Sequence, residues 1–351
     1  MMKSILRTIS YALPFLFAIT ACQTLEFMSI DYLQPAEVSF PKELKSVAIV
    51  NNMPLNQEGR GYKIEDYAEN QNPFIISRES KMFFGMPERA IETMAQSIAD
   101  KNYFEEVVIC DSALCQTGND GTHAVPLTKD DVERLTQELS VDFLISLENL
   151  QLRMERTTRY ISEGIYATRD VKVYPVFKVY VPHRSSPILH ATMSDSIFWE
   201  SLGYTPAMAE HGLISEKEAI LQASDFAGTL PVRRLLPSWR TGSRILTSGG
   251  SADMRDASYM ARQGQWEEAV TVWKRAYENT SKNKSKKTLI ALNLALGYEM
   301  QDSISTAYEW ATKACSLAPE NSTYCGFCKQ YADELKIRMN DLVKLKLQTE
   351  R

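Results

Sequence analysis

Cys325-Gly-Phe-Cys328 places two thiols three positions apart, the spacing at which a dithiol can cycle with a disulfide when a helix N-terminus lowers the first thiol's pKa. Redox pairs of this kind follow a strand, whereas this one follows a helical run and opens another helix. The expectation is therefore a structural disulfide from Cys315 to Cys325 or Cys328. Reduced packing in a core and thiol–disulfide exchange through Cys325 and Cys328 are the alternatives. Cys110 and Cys115 flank a strand end and can close a small loop, where little loop entropy is at stake.

Cys22 offers different chemistry. Lys3 and Arg7 form a positive start, Thr8 to Ile19 an apolar stretch too short to span a bilayer, and Thr20-Ala21 the small residues that precede a cleavage point. Ile19-Thr20-Ala21-Cys22 reads as a lipobox, in which the cysteine sulfur accepts diacylglycerol and becomes the new N-terminus. Residues 1–21 are then a signal peptide, and the expected location is the outer membrane, lipid-anchored, on its periplasmic face, since no dense acidic run follows Cys22. The lipid is the expected membrane attachment, because no later segment approaches the ~20 consecutive apolar residues of a membrane helix.

Other reactive constellations are missing from the sequence. His123, His183, His190 and His211 show no tight pair spacing, so no metal is expected. There is no Gly-x-Ser-x-Gly elbow, His-Glu-x-x-His pair or phosphate-binding glycine loop, and neither a catalytic residue nor a cofactor is assigned. Arg233, Arg234, Arg240 and Arg244 surround Trp239, as an anion-binding patch or as interdomain ion pairs. The formal charge of −5 becomes two units more negative on loss of Lys3 and Arg7, which argues against nucleic acid as a partner.

An apolar fraction of 44% and a charged fraction of 24% describe a globular chain, long enough for two domains. The expected class is mixed α/β or α+β: a sheet domain with flanking helices over residues 42–240, then an all-helical domain over 251–351. A tether is expected at 22–41. A linker is expected at 241–250, where glycine and serine concentrate. Val47-Ala-Ile-Val50, Val107-Val-Ile-Cys110 and Val141 to Leu147 alternate with amphipathic helices at 87–101 and from Thr128, the latter opened by a capping box. Val171 to Val181 and Leu189 to Trp199 read as an antiparallel hairpin, with Pro175 at an edge or bulge. Asn51 to Lys81 reads as a long polar loop. Its aromatics, with Phe83 and Phe84 beyond it, offer a stacking platform for a glycan such as peptidoglycan.

In the last hundred residues Ala269, Trp273, Ala276, Leu294, Tyr298, Ala307, Ala311, Ala314 and Pro319 fall at the offsets of a 34-residue helix-turn-helix repeat, lengthened by four residues in the Lys282–Lys287 turn. This region, about Asp253 to Pro319, resembles the tetratricopeptide family, with Met260 and Ser281 departing from its usual Tyr and Pro. Trp266, Trp273 and Tyr298 join Trp239, Arg240 and Arg244 as candidate interaction residues.

The series of lipobox, Leu33 to Pro41, Val47 to Val50, Asp195-Ser-Ile-Phe-Trp199, Leu236-Pro-Ser-Trp-Arg240 and a repeat-like tail from Trp266 resembles a family of Bacteroidota envelope lipoproteins. In element order the α/β portion is also similar to domains of the curli-secretion lipoprotein and of lipoprotein activators of peptidoglycan synthases. These resemblances imply localisation and architecture. The expected function is a non-catalytic scaffold or assembly factor that binds an envelope protein. A peptidoglycan-binding lipoprotein and a thiol–disulfide oxidoreductase are the alternatives.

Overall fold

A computed structural model describes residues 25–54, 61–63, 73–110, 114 and 125–350, with backbone only at 61–63. Cys22, the signal residues, Tyr67, Cys115 and His123 lie outside the described residues. The chain forms two compact units, residues 36–237 and a second unit built from the segment ending at Pro35 together with Ser238–Glu350.

The first unit is a mixed sheet between helices. Its strands are β2 (Ser46–Asn51), β3 (Gly61–Lys63), β4 (Ile75–Phe84), β5 (Glu106–Cys110), β6 (Phe143–Ile161), β7 (Gly164–Tyr180), β8 (Leu189–Thr192) and β9 (Asp195–Gly203). Its helices are α1 (Pro87–Ala99), α2 (Lys129–Glu138), α3 (Pro206–His211), α4 (Glu216–Thr229) and the short α5 (Val232–Leu235).

The 19-residue β6 is the spine. Its first residues pair parallel with β2, which pairs parallel with β5; its later residues pair antiparallel with β4; and β7 runs antiparallel along its other edge. Parallel strands buried on both faces read as continuous apolar runs, and Val47 to Val50 are fully buried. Val47, Ile49, Phe143 and Ile145 face α1 and α4, while Ala48, Val50 and Leu144 face α2, so helices cover both sides. The α1–α4 contact is close enough that a Cβ on Gly228 would lie 2.2 Å from the Ala90 carbonyl oxygen.

Three local readings are refined. The Thr128 capping box is present in both arms, with Asp131 N–H donating to Thr128 Oγ1 and the Asp131 carboxylate accepting from Thr128 N–H. Pro175 sits in an interior strand at an irregularity: the β6–β7 register shifts between Leu147 and Asn149, and opposite Pro175 the other edge of β7 passes from β8 to β9. Part of the expected 51–81 loop is instead β3 and the start of β4, and β4 carries Phe83 into the core.

The second unit corrects the expected tether and linker. Residues Leu25–Gln34 form strand β1 and Ser238–Thr247 form strand β10, antiparallel partners from Leu25 opposite Thr247 to Gln34 opposite Ser238. The segment ahead of the α/β unit thus completes the structure after it. Behind the ribbon stack α6 (Ala252–Arg262), α7 (Trp266–Asn279), α8 (Lys284–Glu299), α9 (Ile304–Leu317) and the 27-residue α10 (Thr323–Thr349). Ala257, Ala261, Ala269, Ala276, Ala307, Ala311 and Ala314 are buried between helices, where small side chains permit close approach.

The two hairpin turns are alike. Gln265 N–H donates to Met260 O and Gly264 N–H to Ala261 O; thirty-eight positions on, Ser303 N–H donates to Tyr298 O and Asp302 N–H to Glu299 O. Gly264 and Asp302 both take the left-handed backbone, at φ 76° and 55°.

Candidate interaction site

The β1–β10 ribbon has two faces. Directly opposed residues of an antiparallel pair share a face, so Met28, Arg244, Ile30 and Leu246 point to the helices and Leu25, Phe27, Ile245, Leu33 and Trp239 point outward. Phe27 is 77% exposed and Trp239 70%.

Behind the ribbon is a buried charge network. Arg244 lies on β10, and its Nε and Nη2 donate to the two carboxylate oxygens of Glu299, at the end of α8, at 2.8 and 2.9 Å. Its Nη1 donates to Glu334 of α10 at 2.7 Å, and its guanidinium lies 5.0 Å from the Tyr331 ring centroid. Glu299 also accepts from the Tyr331 hydroxyl at 2.6 Å and from Arg338. Burial works against the Arg244 charge, but the Glu299 carboxylate more than offsets it and holds the guanidinium pKa above its ordinary value. Tyr331 is pushed well above the phenol range by burial and by the Glu299 charge, so its hydroxyl stays a donor.

Beside this network a cavity of about 200 Å³ opens between β10 and α10. Phe27, Ile245, Leu292 and Phe327 give it apolar walls, Gln330 and Glu334 a polar rim, and Arg244 and Tyr331 a polar floor. Phe327 is 45% exposed in the first turns of α10. The strand edge contributes as well. Thr247 N–H and C=O turn away from β1 to the buried Asn293 side chain at 3.0 and 2.7 Å. Backbone direction alternates along a strand, so Ile245 and Ser243, in the same parity, also turn their backbone groups away from β1, where the Ser243 carbonyl accepts from Arg244 Nη1 at 3.1 Å.

Of the two arginine readings the contacts are those of ion pairing, within each unit and not between domains. Arg244 is consumed by Glu299 and Glu334, Arg234 is paired with Glu37 at 2.5 Å, and Arg240 reaches Gln34 at 3.4 Å. Of the aromatic candidates, Trp273 is fully buried between helices, Trp266 and Tyr298 are partly buried against the same core, and Trp239 alone of these is exposed. Phe27 and Phe327, missed in the sequence, are the exposed aromatics of the cavity. Phe27 stood in the stretch read as tether and Phe327 between the cysteines that drew attention to their own chemistry.

The cysteines are corrected too. Cys315, Cys325 and Cys328 are free thiols, and the expected Cys110–Cys115 closure involves Cys115, outside the described residues. Cys328 is buried among Leu289, Ala291, Leu292 and Ala314, with Cys315 packed beside it. Burial raises the Cys328 thiol to about 12 and also raises Cys315. Cys328 and Cys315 serve as core packing.

Among the described residues no helix is long and apolar enough to cross a membrane, and no three His, Cys, Asp or Glu side chains gather as a metal site. No curated protein and no solved structure matches the chain. Residues 255–337, most of the helical stack, match the domain of unknown function DUF6340. Residues 44–246, the α/β unit continuing into β10, match the domain of unknown function DUF8603. That second match spans more than half of the chain, which therefore belongs to the DUF8603 family.

Proposed function

We propose that this protein is a lipid-anchored envelope scaffold of the outer membrane, held by Cys22, which captures a segment of another envelope protein in the cavity between β10 and α10. The helical stack is read as tetratricopeptide-like, and the chain as one of the Bacteroidota envelope lipoproteins it resembles. The observation that carries the binding assignment is the joint presence of exposed Phe27 and Phe327 around one cavity lined also by Ser243 and Ile245, whose strand edge turns away from β1. An extended segment adds to such a strand edge through its main chain and seats alternate apolar side chains in the pocket. A basic side chain on that segment would reach Glu334 on the rim. Attachment three residues before β1 keeps the ribbon close to the membrane and raises the effective concentration for a partner in the same membrane.

The test is capture from the membrane fraction by wild type, Cys22→Ser and the double variant Phe27→Asp/Phe327→Asp, with fatty-acid labelling in parallel. The expected result is labelling lost only in Cys22→Ser and a discrete partner lost in the double variant. Equal capture by the double variant contradicts the binding assignment, and labelling that survives Cys22→Ser contradicts the anchor.

A further inference from the structure

In the α/β unit Arg156 of β6 and Arg169 of β7 are directly opposed in the ladder, with Glu79 of β4 beyond Arg156 and Trp199 of β9 beyond Arg169. Like charges directly opposed in a sheet destabilise it unless each is compensated. The compensation is unequal. Arg156 donates to Glu79 at 3.2 Å and to Glu210 of α3 at 3.0 Å. Lys81 pairs with Glu216, the first residue of α4, at 3.0 Å and lies 3.6 Å from Glu79. Glu210 is further engaged by Thr158 and Ser77.

Arg169 has no such partner among the described residues. Its hydrogen bond goes to the Met154 sulfur at 3.2 Å, and its Nε, like that of Arg156, is buried with nothing to donate to. A thioether is a weak acceptor, and a partly buried guanidinium without a carboxylate is costly to keep. Burial lowers its pKa; Glu216 and Glu79 act against the fall and Arg156 adds to it, leaving Arg169 below the ordinary guanidinium value. Six of these residues, Glu79, Lys81, Met154, Arg156, Arg169 and Glu216, line one pocket of about 100 Å³.

We propose that this pocket binds one small oxyanion, a carboxylate or a phosphoryl group, through the guanidinium of Arg169, with Arg156 and Lys81 completing the cationic wall. The planar fork of arginine matches such an anion in two parallel hydrogen bonds. Glu79 and Glu210 share Arg156 and Glu216 holds Lys81, so among the described residues no carboxylate contacts Arg169 and the incoming charge takes that guanidinium. The volume suits a single such group, the charged end of a larger molecule or a free ion. This site lies in the α/β unit and is independent of the cavity assigned to the protein partner.

The test is calorimetric titration and thermal unfolding of the full chain with sodium phosphate, sodium acetate and sodium chloride at matched ionic strength. A saturable rise in midpoint with phosphate or acetate over chloride is expected. It is abolished in Arg169→Met, weakened about tenfold in Arg169→Lys, which keeps the charge and loses the fork, and strengthened in Glu216→Gln, which frees Lys81. Arg169→Lys also answers if Arg169→Met does not fold. A response to phosphate alone makes the natural ligand phosphorylated, and a response to acetate alone makes it a carboxylate; either sustains the site. Midpoints that follow ionic strength only, or an anion effect undiminished in both Arg169 variants, overturn it and leave a solvated pocket.

Discussion

Arg244 and Glu299 meet as a two-pronged ion pair at 2.8 and 2.9 Å, buried at both ends, and so tie the ribbon to the last turn of α8. Glu299→Gln leaves two guanidiniums, those of Arg244 and Arg338, without their shared carboxylate. Loss of about 3–5 kcal/mol is expected, as when one partner of a buried pair is removed. Chemical denaturation of the variant measures it. A double replacement, Arg244→Met with Glu299→Leu, is expected to cost less than the single change, because one guanidinium, that of Arg338, rather than two then loses its carboxylate.

The Cys328 thiol, raised to about 12 by burial, stays protonated at neutral pH. Alkylation of the native protein at pH 8 is expected to spare Cys328 and to reach it only after unfolding, as read by mass spectrometry of tryptic peptides. Rapid labelling of Cys328 in the folded protein, or activity in a thiol-exchange assay that Cys328→Ala removes, would restore the redox reading.

Asp142 stands at the entry to β6. Burial acts to raise its pKa, but the N–H groups of Ser46 and Lys45 and the Ser46 hydroxyl, at 2.7 to 2.9 Å, outweigh burial and hold the carboxyl below its usual range. A depressed folded pKa contributes stability that is present above the unfolded aspartate value of about 3.9 and is lost as pH falls through the folded one. Asp142→Asn is expected to cost about 1–3 kcal/mol at pH 7 and to flatten the decline in urea midpoint below about pH 4. A variant whose midpoints run parallel to wild type from pH 7 to pH 3 would contradict this.

Gly228 lets α4 lie against α1. Alanine is the better helix former by about 1 kcal/mol, yet its Cβ would stand 2.2 Å from the Ala90 carbonyl oxygen, a backbone atom that cannot rotate away. Gly228→Ala is expected to lower stability by about 1–3 kcal/mol, measured by thermal or chemical unfolding. An unchanged midpoint would mean that the two helices separate without cost.

What the sequence disclosed follows from range. Thr128 and Asp131 are three residues apart, and their capping box was readable; so were Val47 to Val50, whose unbroken apolar run marks a strand covered on both faces. The 38-residue recurrence of Ala269 and Ala307 was readable because each repeat carries its own pattern. The ribbon was not. Leu25 pairs with Thr247 across more than two hundred residues, and each strand alone looked like a tether or a glycine-rich linker. Side-chain fates depended on the same distant neighbours: nothing near Arg244 in sequence announces Glu299, and nothing near Arg169 announces that Glu79, Glu210 and Glu216 are already taken. The Cys325 and Cys328 spacing drew a chemical reading because spacing is visible, whereas burial against Leu289 and Ala314 is not.

The most direct measurement is in-cell photo-crosslinking with the reactive group placed at position 327, beside the cavity, and at the exposed position 268 of α7 as control. A single envelope protein crosslinked from 327 and absent from 268, and competed away when Phe27→Asp is added, is the expected result. Crosslinks equal at both positions, or none from 327 in cells where the protein is lipidated, would contradict the assignment of the β10–α10 cavity as the binding site.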